Sequence, residues 1–257
     1  MDRKRILAVG AHPDDVEFTA GGTLALLHRK GFQINIATIC SGDKGSAELR
    51  PHEIAAKRFR EATESARVLN STYATLGEPD LELTFDNRTR GKVVELVRRI
   101  NPSIVFTNSP NDYMPDHELT ADLLWDACFN ASVINYVTNQ PNPSEPTKKA
   151  PFLFYGDAIT GLDRCGSIIP VDFYVDISSV IETKVTMLSK HESQRSWLKK
   201  QHGMDEYIES MLDWCKKRGK ETGVEYAEAF KQHKGHPFPQ ENVLQKTLKE
   251  VKACIKS

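Results

Sequence analysis

The chain has 257 residues, of which 39% are hydrophobic and 27% charged, with a formal net charge of -1. Near-neutrality leaves no electrostatic case for a nucleic-acid or membrane-surface partner, and no stretch approaches the ~20 apolar residues that span a bilayer. Only a short apolar run follows Met1–Arg5, unlike a secretory leader, and the five scattered cysteines contain no CxxC pair, so reduced thiols and a cytoplasmic location are expected.

Residues 5 to 11, RILAVGA, read as a buried parallel strand. After it, Gly21-Gly22 and the run through His28 predict a helix that Gly31 ends, and Ile34–Ile39 a second strand, which together form a right-handed βαβ unit. A polar loop, SGDKGS at 41–46, precedes an amphipathic helix over His52–Leu69, and Thr72–Leu76 reads as a third strand. Arg88–Ile100 carries Val93, Val94, Leu96, Val97 and Ile100 at helical spacing and ends at Asn101-Pro102, before a fourth strand over Ser103–Thr107.

The loop NSPNDYMPDH, 108–117, leaves the carboxyl end of that strand, and a helix over about 118–137 is expected to follow. Four prolines among polar residues between 139 and 151 suggest a linker or flap, and the stretch Gly156–Pro170 is a second candidate for shaping a pocket. Phe152–Tyr155 and Phe173–Ile177 read as later strands. From about 178 onward the pattern reads as helical, ending in a helix over Glu241–Ile255 packed on the domain or on a neighbouring subunit. The alternation predicts a single α/β domain over 1–257, with a Rossmann-like, doubly wound, mostly parallel sheet and helices on both faces.

Chemistry concentrates in AHPDDVE, residues 11–17. A hydrolytic zinc ion takes three protein ligands and keeps a further position for water. His12 and Asp15, three residues apart in a turn stiffened by Pro13, can face one ion, and His117, at a neighbouring strand end, is the best third ligand. Asp14 is left free as a general base, and Asp116 suits the task of holding an imidazole in its working tautomer. The plainer readings are a helix cap for the Asp-Asp pair and hydrogen-bonded structural roles for the histidines.

These residues resemble the PIG-L or LmbE-like zinc-dependent de-N-acetylases, which remove acetyl groups from N-acetylglucosamine conjugates. The likeness rests on AHPDDVE, the loop Ser41–Gly45, Arg58 with Glu61, Ala66 and Leu69, the acidic Asp80, Pro115-Asp116-His117, Lys184 with HESQ at 191–194, and Tyr226–Phe230. It implies one zinc per chain on His12, Asp15 and His117, with Asp14 as base and a small N-acetylated sugar as substrate. Arg58 and Asp80 become candidates for holding the sugar, set against a surface cation paired with Glu61 or Glu64 and a turn residue. A homo-oligomer is compatible with it.

One position departs from the family pattern: Met114 stands where a second histidine is usual. A thioether cannot donate a hydrogen bond, and loss of an oxyanion donor costs ~10²–10³ in rate unless it is replaced. Tyr113 is the adjacent candidate replacement. Met114 also supports an alternative, a member that binds carbohydrate but has lost efficient turnover. A nucleotide-binding Rossmann enzyme fits poorly, because AVGAHPDD lacks the later glycines of G-x-G-x-x-G and sets carboxylates where phosphates would lie.

Overall fold

The computed structural model describes residues 4–194 and 206–254. The first strand, β1 (Arg5–Gly10), sets the layers: Ile6 and Ala8 point into one core and Leu7 and Val9 into the other, all fully buried. A strand apolar on both faces needs cover on both. On the Ile6 side lie α1 (Asp15–Arg29) and α2 (Pro51–Arg67), joined by α5 (Ile181–Ser189) and α6 (Glu206–Lys220). On the Leu7 side lie α3 (Asn87–Ile100) and α4 (Pro115–Asn130).

β2 (Gln33–Cys40), β3 (Thr72–Glu78), β4 (Ile104–Thr107) and β5 (Phe152–Gly156) join β1 in parallel. Including β6 (Phe173–Asp176), β7 (Ala227–Gln232) and β8 (Val251–Ala253), the eight-stranded order is β3-β2-β1-β4-β5-β7-β6-β8. The last three strands pair antiparallel. The order reverses between β1 and β4, and the crevice at the carboxyl ends of such a pair is where open α/β sheets hold ligands. No helix among the described residues is long and apolar enough to cross a membrane.

The structure differs from the sequence reading at several points. Both helices that enter the crevice begin earlier than expected, α1 at Asp15 and α4 at Pro115, so Asp15, Asp116 and His117 sit in first helical turns. α4 also stops at Asn130 instead of 137, where carbonyls that a longer helix would pair internally accept from elsewhere: Arg98 Nε and the Thr147 amide donate to Ala131 O, and Arg98 donates to Val133 O.

The region from 178 onward is not all helical, since β7 and β8 lie within it. Over the described residues 241–254 only α7 (Val243–Thr247) is helix, capped by Asn242, which accepts from the Leu244 and Gln245 amides; Ile255 lies outside the described residues. Beyond it the chain extends and pairs with the open edge of β6, a ladder that outweighs further helical turns. The proline-rich segment 139–151 has no regular structure. Glu95 of α3 accepts from the Ser144 amide and the Thr138 hydroxyl, and the segment leads into the amino end of β5, away from the crevice.

Candidate metal centre

The turn after β1 is tight enough that a Cβ on Gly10 would lie 2.7 Å from the Asp15 Cβ. Asp15 folds back there and accepts a hydrogen bond from the His12 amide at 2.9 Å. Asp14 occupies the cap position of α1 with φ 116° and makes no capping hydrogen bond. That left-handed conformation is tolerated best by Gly, Asn and Asp. It releases the carboxylate from helix capping, so the plain reading of the Asp-Asp pair does not describe Asp14.

His12 Nδ1 and His117 Nε2 lie 3.8 and 3.5 Å from Asp15 Oδ2. The other ring nitrogens are held by carboxylates: His12 Nε2 is 3.0 Å from Asp116 Oδ2, and His117 Nδ1 is 3.2 Å from Asp112 Oδ1. A carboxylate behind each imidazole is the arrangement that orients metal-binding histidines. Asn108 locks the third side chain, accepting from the Ala11 amide at 2.9 Å and donating to Asp15 Oδ2 at 3.3 Å. One ligand atom from each of His12, Asp15 and His117 lies within 4.8 Å of the others.

A second grouping, His12 with Cys40 and Asp116, meets the same distance condition. Burial, then the charge of Asp116, pushes the Cys40 thiol far up, and in this grouping Asp116 Oδ2 already serves His12 Nε2 and the Leu81 amide. The two-histidine, one-carboxylate set fits a divalent cation better.

The metal-free electrostatics follow from these contacts. Burial alone would raise the Asp15 carboxyl, but His117 and His12 hold it far below the usual range. Burial opposes protonation of both imidazoles. Asp15 and Asp112 nevertheless hold His117 well above its ordinary value, and the Asp116 hydrogen bond and Asp15 raise His12. Asp14 moves the opposite way from Asp15: burial raises its pKa, against the pull of Arg58.

Arg58 is not the surface cation that sequence allowed. It is 4% exposed; its Nη2 donates to Pro13 O at 2.6 Å and lies 3.3 Å from Asp14 Oδ1. The loop after β2 wraps it closely: a Cβ on Gly42, whose φ is +78°, would lie 2.7 Å from Arg58 Cδ. Asp80 closes the same loop, accepting from the Gly42 and Lys44 amides at 2.8 and 3.2 Å. Both residues line the cavity; the Asp80 carboxylate and Arg58 Nη2 are engaged by the protein, whereas Arg58 Nε is buried without a hydrogen-bond partner.

That cavity, about 350 Å³, is lined by His12, Asp14, Asp15 and His117 together with Arg58, Asp80, Tyr113, Met114, Ile159 and Tyr207. The volume lies in the ~300–1,000 Å³ range of small-ligand sites. Ile159 comes from the 156–170 stretch, and no residue of 139–151 contributes. Tyr113 sets its ring edge-on to His117 at 5.7 Å, and Met114 precedes the first turn of α4 without a side-chain donor.

Several contributors were not singled out from sequence. Asn108 and Asp112 lie in the polar loop already singled out, so their residue types were a usable signal. Tyr207, from α6, hydrogen-bonds Asp14 and had no local signal. Behind Asp14, Glu17 accepts from the Ser65 hydroxyl at 2.6 Å, and His191 Nε2 lies 3.3 Å from Glu17 Oε1 without hydrogen-bond alignment. Deeper still, Glu228 of β7 accepts from the Gly22 and Thr23 amides of α1, while Lys184 Nζ lies 2.6 Å from both Glu228 Oε1 and Phe18 O. The late residues Lys184, His191 and Glu228 thus brace the helix that begins at Asp15.

A Rossmann-like sheet that brings two histidines and an aspartate together at its switch point defines an α/β class with a candidate metal site. The family model "PIG-L: GlcNAc-PI de-N-acetylase" matches residues 7–128. The chain is 31% identical over 207 residues to a diacetylchitobiose deacetylase of Thermococcus kodakarensis, covering 75% of this chain and 71% of that protein. The chain belongs to the PIG-L family. The structure of an N,N'-diacetylchitobiose deacetylase from Pyrococcus horikoshii superposes with TM-score 0.77 at 25% identity, covering 93% of this chain and 88% of that one. The fold is also shared, at TM-score 0.76 and 22% identity, by a 4-carboxy-2-hydroxymuconate hydratase from Pseudomonas putida, covering 93% of this chain and 99% of that one.

Proposed function

We propose that the protein is a zinc-dependent hydrolase that removes the acetyl group from an N-acetylated amino sugar. The observation that carries this reading is the convergence of His12, Asp15 and His117, each fixed from behind, with the Asp14 carboxylate beside them in the same cavity. The deacetylase relatives support the substrate class.

His12, Asp15 and His117 would hold the ion. When bound, zinc supplies Lewis acidity that lowers the pKa of water towards neutrality and polarises a carbonyl. Asp14 takes the proton from the attacking water as its oxygen adds to the acetyl carbon. It then returns that proton to the nitrogen as the C–N bond breaks, giving acetate and the free amine. Burial raises the pKa of Asp14, which strengthens it as the base for the first transfer, and Arg58 and Tyr207 hold the carboxylate in place. Asp116 keeps His12 protonated at Nε2, leaving Nδ1 free for an ion.

The five cysteines are free thiols, which supports a reducing, cytoplasmic setting. Met114 favours a second reading, a carbohydrate-binding member with impaired turnover. Acetate release by the zinc-loaded chain from a panel of N-acetylglucosamine conjugates separates the two. Release that depends on zinc is expected; sugar binding with no release from any conjugate would favour the second reading.

A further inference from the structure

Leu81 is out of place by ordinary rules. Its φ is +62°, a region that large side chains rarely enter, and its side chain is 63% exposed at the cavity edge. Its amide donates to Asp116 Oδ2 at 2.7 Å, the same oxygen that holds His12. The strained residue is therefore fixed in register with the candidate metal ligands. Such strain persists where the surroundings over-determine it, commonly at functional sites.

Three separate segments bring apolar side chains to the first turn of α4. Asp116 in that turn ties down Leu81, Tyr113 and Met114 immediately precede it, and Glu118 in it accepts from Arg164 at 3.2 Å. Arg164 lies in a hairpin where Leu162 pairs with Ile168, and Ile168 is 81% exposed. Leu81, Tyr113, Met114 and Ile159 all line the cavity. Meanwhile the Asp80 carboxylate accepts from the Gly42 and Lys44 amides and Arg58 Nη2 donates to Pro13 O beside Asp14, while Arg58 Nε is buried without a hydrogen-bond partner.

We propose that Leu81, Tyr113, Met114 and Ile159 form an apolar subsite for a group attached to the acetylated sugar, so that the substrate is a glycoside with an alkyl or aryl aglycone. This rests on the deacetylase reading above. Its occupant is fixed by continuity, because the wall is part of the cavity that holds Asp14 and the candidate ligands. Met114, which removes a donor from the family pattern, becomes part of the surface that selects this substrate.

The test compares the methyl and hexyl glycosides of N-acetylglucosamine on the zinc-loaded full chain, by calorimetric binding to the Asp14→Asn variant and by acetate release from the unaltered protein. Each buried methylene adds about fourfold, so burying two of the five extra ones predicts a preference for the hexyl glycoside above tenfold in both readouts. Leu81→Asn, which suits the left-handed backbone, should cut that ratio several-fold. Ile159→Ser, on a separate segment of the same wall, provides a second variant that leaves the Leu81 turn untouched and should lower the ratio likewise. A hexyl preference in binding with no acetate release would keep the subsite and remove the deacetylase. Acetate release with equal affinity for both glycosides would do the reverse. A preference unaffected by Leu81→Asn overturns the assignment. So does an absent preference in an oligomer that Leu81→Asn dissociates, which would give the wall to a second copy of the chain.

Discussion

The two ends of the sheet do different work. At the β1–β4 switch point lie His12, Asp14, Asp15 and His117, the first three positioned by a partner in another segment and His117 by Asp112 of its own loop. In the antiparallel half, β6, β7 and β8 contribute no candidate ligand, yet Glu228 reaches α1 and, with Lys184, occupies its backbone groups at Phe18, Gly22 and Thr23. The first region gathers the candidate ligands and the second holds the helix that presents them. A site can therefore be damaged in two ways, by losing a ligand or by loosening the element beneath it.

The largest expected effect is at the switch point. His12→Ala should take bound zinc from about one per chain to near zero with the fold kept, read by metal analysis and circular dichroism. Retained stoichiometric zinc would remove His12 from the ligand set. The antiparallel half should respond in stability instead. Removing one partner of a buried ion pair costs ~3–5 kcal/mol, so Glu228→Ala should lower urea stability by that order while the folded fraction still binds zinc. Equal loss of zinc affinity in the folded fraction would erase the distinction between the halves.

A smaller effect sharpens the first region. Asp112→Asn removes the anion behind His117 and should cost ~10–100-fold in zinc affinity. The same carboxylates set the pH dependence. His12 and His117 have folded pKa values above the ordinary 6.5, so their protonation stabilises the metal-free fold below that value. That stabilisation is lost as pH rises through the folded values. Zinc needs neutral imidazoles, so its affinity should rise over the same window with proton release, measurable by calorimetry in buffers of different ionisation enthalpy. Affinity that falls with pH there would contradict the pairing. Smallest of all, Asn242→Ala should cost ~1 kcal/mol by uncapping α7, with zinc affinity unchanged.

The same division decided what sequence could show. The parallel half was legible because buried apolar runs between Gly and Pro signals identify strands, and because His12, Asp15 and His117 lie in two compact polar motifs. β7 was not, because Ala227–Gln232 includes Glu228 and Lys231, and the burial of Glu228 depends on amides about 205 residues away. The 241–255 segment repeats apolar residues at helical spacing, and only the vacant edge of β6 decides that Val251–Ala253 is a strand. Arg58 likewise read as a surface cation or sugar ligand until Pro13 O and Asp14 were seen beside it. Tyr207 reaches Asp14 from α6, with no nearby pattern to announce it.

The central claim is that Asp14 moves the proton while its neighbours hold the ion. It is tested most directly by measuring zinc content and acetate release on one preparation of Asp14→Asn. The account predicts about one zinc per chain with turnover reduced by ~10²–10⁴. Turnover equal to that of the unaltered protein, with zinc still bound, would contradict it.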